Sequence, residues 1–218
     1  MIEAILPASV RSAESRGEEE PPPLPAAEEA LVSGAVAKRR FEFAAGRDCA
    51  RRALGALGVP PAPILSGRRG EPLWPQGVVG AITHCAGYRA GAVARSSEVA
   101  ALGIDAEPRA PLPAGVLETI AREEEIARLQ ALAGSAPGIP WDRLLFGAKE
   151  SIYKAWYPRT RLPLEFAEAS VSFDAERCRF TARLLVAGPT ASREPWSELR
   201  GRWLIADGLV LTAVAVTA

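Results

Sequence analysis

Four side chains in two short stretches have the types and spacing to do chemistry. Asp105 and Glu107 stand two residues apart in Leu102-Gly-Ile-Asp-Ala-Glu-Pro108, and Glu150 and Lys154 stand four apart in Phe146-Gly-Ala-Lys-Glu-Ser-Ile-Tyr-Lys-Ala-Trp156. On an extended strand, residues i and i+2 project from one face about 7 Å apart, so the two carboxylates would lie side by side and repel each other. A hard cation such as Mg²⁺, taking oxygen ligands, water and a substrate phosphate, relieves that repulsion, whereas in a loop the two acids would simply be solvated. On a helix, Glu150 and Lys154 face the same way, and alone they form a surface pair worth roughly a few tenths of a kcal/mol. Beside a metal and a phosphate they become a base and a cation held one turn apart. The chain holds three lysines among its 26 cations, and two of them, Lys149 and Lys154, lie in this stretch.

A second group is cationic. If residues 35–57 form one helix, Phe43, Ala50, Ala53, Leu54 and Leu57 share an apolar face, with Arg47 at its edge and Arg39 along its centre line. That azimuth is costly for a permanent charge unless it faces an anion-filled cleft. The alternatives are a helix broken near Gly46 and arginines that snorkel to water. His84, the one histidine, ends a strand-like run beside Thr83 and Cys85, just before a turn at Gly87. A lone histidine is often structural, but a strand end is also where clefts are lined.

The elements that must position these groups are legible as patterns. Leu144, Leu145, Ala148, Ile152, Ala155 and Trp156 fall within an arc of roughly 120°, the stripe of a helix lying on a core. Trp141-Asp142 opens this helix, and Pro158 is expected to end it. Residues 78–84, 89–94 and 99–105 read as strands of a meander or mixed sheet packed by the 35–57 helix. Residues 169–173, 179–185, 201–205 and 209–217 read as a second sheet, and residues 122–133 as a helix with a mostly solvated acidic face. Residues 1–7 are expected to form a first strand, and the acidic, proline-rich segment from Glu14 to Pro25 an exposed loop. This order predicts an α/β (α+β) fold of two similar-sized halves, 1–104 and 105–218, meeting near Asp105.

Composition narrows the function classes. The 26 cations are balanced by 26 anions, which argues against a general nucleic-acid binder. Cys49, Cys85 and Cys178 are widely spaced with no Cys-x-x-Cys, so neither a disulfide framework nor a zinc site is expected, in keeping with a cytoplasmic home. No apolar run has the length of a membrane span or a signal segment.

Taken in order, Arg39, Arg47, Thr83-His84, Gly103-Ile-Asp105-Ala-Glu107 and Ala148-Lys-Glu150-Ser-Ile-Tyr-Lys154-Ala resemble a 4′-phosphopantetheinyl transferase. The likeness is to the single-chain kind serving enterobactin, surfactin and polyketide synthases, most of all its actinobacterial branch, and it runs from about Arg39 to the C-terminus. Trp74-Pro75, Thr83-His-Cys-Ala-Gly-Tyr88, Trp141-Asp142 and Gly201-Arg-Trp203 add to it.

The resemblance implies two pseudo-symmetric α/β halves with the active site between them. It implies Mg²⁺-dependent transfer of 4′-phosphopantetheine from coenzyme A to a serine of an acyl or peptidyl carrier protein, with Mn²⁺ an alternative ion and 3′,5′-ADP released. Asp105, Glu107 and Glu150 would be the metal carboxylates, Glu150 also the proton acceptor, and Lys154 the phosphate cation assisted by Lys149. Arg39, Arg47 and His84, with Thr83 beside them, would hold the 3′-phosphate of coenzyme A. One departure stands out: Ser66 occupies the place of a basic residue often found before the Gly-x-x-Gly-x-Pro segment, with Arg68 or Arg69 the candidate replacement. The implied enzyme is a cytoplasmic monomer with no nucleic-acid or membrane partner, and its carrier-docking surface should expose arginines. The competing readings are a different Mg²⁺-dependent phosphoryl-transfer enzyme and a non-catalytic relative that binds coenzyme A or carriers. The first 38 residues carry no motif.

Overall fold

The computed structural model of the chain describes residues 1–17, 19–186 and 196–218. The first part comprises β1 (Arg11–Arg16), α1 (Ala26–Glu29), α2 (Ala37–Ala56), β2 (Val78–Cys85) and β3 (Tyr88–Arg95). β3 lies at the centre of an antiparallel sheet ordered β1-β3-β2. α2 is one continuous helix that presents Ala50, Ala53 and Leu54 to this sheet. Small residues allow a close approach: a Cβ at Gly91 on β3 would lie 2.6 Å from the amide nitrogen of Ala50. Gly46 does not break the helix; it makes room for Ile82 of β2, whose side chain would lie 3.0 Å from a Cβ there.

The remaining elements are β4 (Val99–Pro108), α3 (Val116–Ile120), α4 (Glu123–Ser135), α5 (Trp141–Thr160), β5 (Ala169–Asp174), β6 (Arg179–Leu184), β7 (Glu198–Ala206) and β8 (Leu209–Thr217). They build a five-stranded antiparallel sheet ordered β4-β8-β7-β6-β5, with α5 across one face. The α/β class and the expected second sheet are therefore present. All six residues of the apolar stripe of α5 are buried. Each large member contributes roughly 1.5–3 kcal/mol by leaving water, which seats the opposite face of the helix against β4 and the cleft beside it.

Several expectations are corrected. β4 does not continue the β2–β3 meander but pairs with β8, so the chain changes sheets between β3 and β4 and residues 99–104 belong to the second sheet. Residues 1–7 form no strand: Ile2–Ile5 is a 3-10 turn, and the spacing of Ile2 and Ile5 matches its period of three, sending both into a core with Leu209 and Leu211. The acidic stretch is not all loop, because Glu14 lies within β1 and accepts the Tyr88 hydroxyl at 2.8 Å. Pro158 does not end α5, which closes one further turn with Arg161 N donating to Tyr157 O at 2.8 Å. A proline so near the C-terminus forfeits only one internal bond.

β4 and α5 meet backbone to backbone. A Cβ at Gly103 would lie 2.7 Å from the amide nitrogen of Ala155 and closer still to the carbonyl oxygen of Ser151. Gly103→Ala should therefore push the helix off the strand and cost about 3 kcal/mol, lowering the melting temperature by roughly 10 °C. A shift of under about 2 °C in a thermal melt would show that the crossing is looser than this.

Candidate active site

β4 is buried on both faces, and its alternation decides which residues reach the helix. Ile104 and Ala106 enter one core, while Gly103, Asp105 and Glu107 turn to the α5 side. Read at 100° per residue, Arg143, Gly147, Glu150 and Lys154 lie within about 60° on α5, so one helix face meets one strand face.

Asp105 is the hub. Its Oδ1 accepts Lys154 Nζ at 2.7 Å and Thr83 Oγ1 at 3.1 Å, and the Thr83 hydroxyl in turn accepts Ala106 N at 3.0 Å. Its Oδ2 is buried without a hydrogen-bond partner. Gly147 keeps the approach to that oxygen open, since a Cβ there would stand 3.4 Å away. Glu107 accepts Arg143 Nη1 at 2.8 Å, and its carboxyl is pushed up by burial and by the charge of Asp105, with Arg143 opposing. The Glu150 carboxyl is also pushed up, by burial foremost and then by Asp105, against the pull of Lys154.

Two carboxyls, Glu107 and Glu150, whose proton affinity the charge of Asp105 raises, together with the unpartnered Asp105 oxygen, have the donor chemistry of a hard divalent cation site. Among the described residues no three acids close around an ion unaided.

From Glu150 and Lys154 a cleft of about 220 Å³ runs toward α2 and β2. Arg39, Arg47 and His84 line it too. Arg39 Nη1 donates to His84 Nε2 at 3.0 Å, so the ring accepts there, and burial holds its pKa below the usual value, opposed by Glu42. Arg47 is 5% exposed, stacks on Phe43 at 4.2 Å, and is pushed down to about 10 by burial. Its Nε donates to Ile64 O at 2.9 Å and its Nη2 to Ser66 Oγ at 3.0 Å. Arg69 lines the cleft and Arg68 does not. Across the cleft mouth, Glu71 pairs with Arg161 at the C-terminal cap of α5.

Both walls of this cleft lie within segments that match known families. A family model described as the 4′-phosphopantetheinyl transferase N-terminal domain matches residues 27–94, and one described as the 4′-phosphopantetheinyl transferase superfamily matches residues 101–206. The chain is 52% identical over 221 residues to the 4′-phosphopantetheinyl transferase Svp of Streptomyces mobaraensis, spanning all of this chain and 90% of that one. The chain belongs to the 4′-phosphopantetheinyl transferase superfamily. Two more relatives set its place: the transferase PptT of Mycobacterium tuberculosis is 47% identical over 99% of this chain and 98% of its own length. Enterobactin synthase component D of Salmonella typhimurium is more distant, 32% identical over 82% of this chain and 72% of its own. The protein is thus an enzyme that transfers phosphopantetheine to carrier proteins.

Within this transferase the structure brings Asp105, Glu107, Glu150 and Lys154 together between β4 and α5, and sets Arg39, Arg47 and His84 in one cleft with Glu150 and Lys154. Two expected residues are placed differently. The Thr83 hydroxyl turns away from the cleft to hold Asp105, so it orients a carboxylate where contact with the cofactor was expected. Lys149 Nζ is buried and spends its three donors on Ile120 O at 2.8 Å, Glu125 Oε2 at 2.7 Å and Phe166 O at 2.7 Å. Glu125, read from sequence as part of a solvated face, is buried as its partner and also accepts Val171 N at 2.6 Å.

Arg143 was missed, although its azimuth on α5, shared with Glu150 and Lys154, is a signal that would have found it. Its Nε and Nη2 also donate to Ala110 O at 3.0 Å and Pro111 O at 2.8 Å, pinning the segment after β4 beside Glu107.

Proposed function

We propose that this transferase binds coenzyme A along the cleft and passes its 4′-phosphopantetheine to a serine of an acyl or peptidyl carrier protein, releasing 3′,5′-ADP. The observation that carries this reading is the cleft itself, which Arg39, Arg47 and His84 line together with Glu150 and with Lys154, the partner of Asp105. Glu150, with no protein hydrogen bond to its carboxylate among the described residues, takes the proton from the serine hydroxyl. The serine oxygen then bonds to the phosphorus that carries the pantetheine arm, and the bond from that phosphorus to the oxygen bridging to 3′,5′-ADP breaks. Lys154 stabilises the charge that builds on the phosphate. Asp105, Glu107 and Glu150 would hold Mg²⁺ or Mn²⁺, which supplies neutralisation of the pyrophosphate. The three-stranded part with α2 supplies the groups for the cofactor's 3′-phosphate and the five-stranded part with α5 the reacting ones, so two halves that divide between β3 and β4 share the task. We assign Lys149 a supporting role under α5. Arg69 takes the place of the base absent at Ser66.

Incubation with coenzyme A, Mg²⁺ and an apo-carrier should add one phosphopantetheine group to the carrier, seen by mass spectrometry, with one 3′,5′-ADP released per carrier. Nucleotide release without a carrier would instead favour a phosphoryl-transfer enzyme of another kind. His84→Ala should raise KM for coenzyme A about tenfold, the loss of one bond near a phosphate. kcat should fall less than about twofold. Unchanged affinity in calorimetry would count against His84.

We also propose a cytoplasmic monomer serving fatty-acid, polyketide, siderophore or peptide synthesis. Its cysteines are free, which fits a reducing compartment. No helix among the described residues is long and apolar enough to cross a membrane.

A further inference from the structure

The segment ahead of α2, silent in sequence, holds an acid that is 0% exposed. Glu28, on the single turn of α1, accepts Arg51 Nη1 on both carboxylate oxygens, at 3.0 and 2.7 Å, and Ile64 N on Oε1 at 2.7 Å. Ile64 is also the residue whose carbonyl receives Arg47 Nε, and Ser66, two residues on, receives Arg47 Nη2. The strand-like segment around Ile64 is therefore suspended between Glu28 on one side and the cleft arginine on the other. Arg47 has no carboxylate bonded to it among the described residues. Burial destabilises its charge, and the nearby charge of Glu28 is the strongest influence acting the other way. With Nε and Nη2 committed, Nη1 is the nitrogen of Arg47 that has no protein acceptor among the described residues.

We propose that Glu28 is a positioning residue for the anion-binding end of the cleft: by fixing Ile64 it fixes the orientation of Arg47 toward the terminal phosphate of the cofactor. This rests on the role proposed for Arg47. Charge alone makes the opposite prediction, because an acid close to a phosphate site weakens anion binding and its neutralisation should tighten it. A carboxamide at position 28 keeps the volume and one acceptor oxygen, but it sets a donating N–H where Oε2 now takes Arg51 Nη1, so the side chain can no longer hold Arg51 and Ile64 as it does now, and the tether on Ile64 and Arg47 loosens. The sign of the effect therefore separates placement from charge.

The test compares wild type, Glu28→Gln and Glu28→Asp with coenzyme A and with 3′-dephospho-coenzyme A, at saturating apo-carrier, with a thermal melt for each. Wild type should prefer coenzyme A. Glu28→Gln should lose about tenfold of that preference, equivalent to about 1.4 kcal/mol, through KM for coenzyme A rather than kcat. With the dephospho cofactor its KM should move far less. Glu28→Asp, which keeps the charge on a shorter arm, should fall between the two, and it carries the same comparison if the glutamine variant does not fold. Equal losses with both cofactors would reduce Glu28 to a structural staple, and tighter coenzyme A binding would hand the effect to charge; either overturns the proposal. A wild-type enzyme indifferent to the 3′-phosphate would instead overturn the role of Arg47, on which the proposal stands.

Discussion

Asp105→Asn should leave the fold in place and lower the carrier-loading rate about a thousandfold. The substitution is isosteric, so its carbonyl oxygen still accepts Lys154 and Thr83 as Oδ1 does now. What changes is the buried Oδ2, today without a partner, which becomes an amide that donates and carries no charge. A cation site loses an oxygen ligand and gains a repelling N–H, while Glu107 and Glu150 lose the neighbour that raises their proton affinity. A thousandfold is about 4 kcal/mol, within what a bound cation contributes to a phosphoryl-transfer barrier. Two measurements check it: kcat at saturating coenzyme A, and binding of Mn²⁺ by paramagnetic resonance in the presence of coenzyme A. A rate within about tenfold of wild type, with Mn²⁺ affinity unchanged, would remove Asp105 from the site.

Glu150→Gln should cost between about a hundredfold and ten-thousandfold in kcat, the range of a general base, with coenzyme A affinity largely preserved. The accompanying pH profile gives the sharper test. Burial, followed by Asp105, raises the Glu150 pKa above the ordinary carboxylate value of 4.5, with Lys154 opposing. The base works only as the carboxylate, so loading should increase as pH rises through that elevated value and level off above it. Below it the residue is protonated and the rate falls. Glutamine does not titrate, so the residual activity of the variant should lack this acid limb. If the limb persists unchanged in Glu150→Gln, the proton is taken by another group.

The parts of this arrangement that were legible in sequence are those governed by local periodicity. The stripe from Leu144 to Trp156 has one burial solution, and the alternation at Gly103, Asp105 and Glu107 needs only that residues 99–108 be extended. The parts that were not legible depend on partners far along the chain. Lys149 and Glu150 are adjacent, and sequence offers no reason why one should be buried against Glu125 while the other lines the cleft. The distinction comes from α4 packing beside α5. Thr83 was read as a cofactor contact, and its hydroxyl bond to Asp105 was not legible because only the crossing of β2 and β4 brings the two together. Glu28 lies in four residues of helix that no periodicity can register, and its significance appears only once Ile64 folds back onto Arg51 and Arg47. Arg143 is different, because its azimuth was available and simply not extended one more turn toward the N-terminus of α5.

The backbone contact at Gly103 has a mechanical consequence. A strand and a helix separated by no side chain share one frame of reference, so Asp105 and Glu107 on β4 cannot drift relative to Glu150 and Lys154 on α5 without unfolding the crossing. The reacting groups are assembled before any substrate arrives. Whatever breathing the cleft needs to admit a long, flexible cofactor must then fall on the opposite wall, where Glu71 pairs with Arg161 at the C-terminal cap of α5.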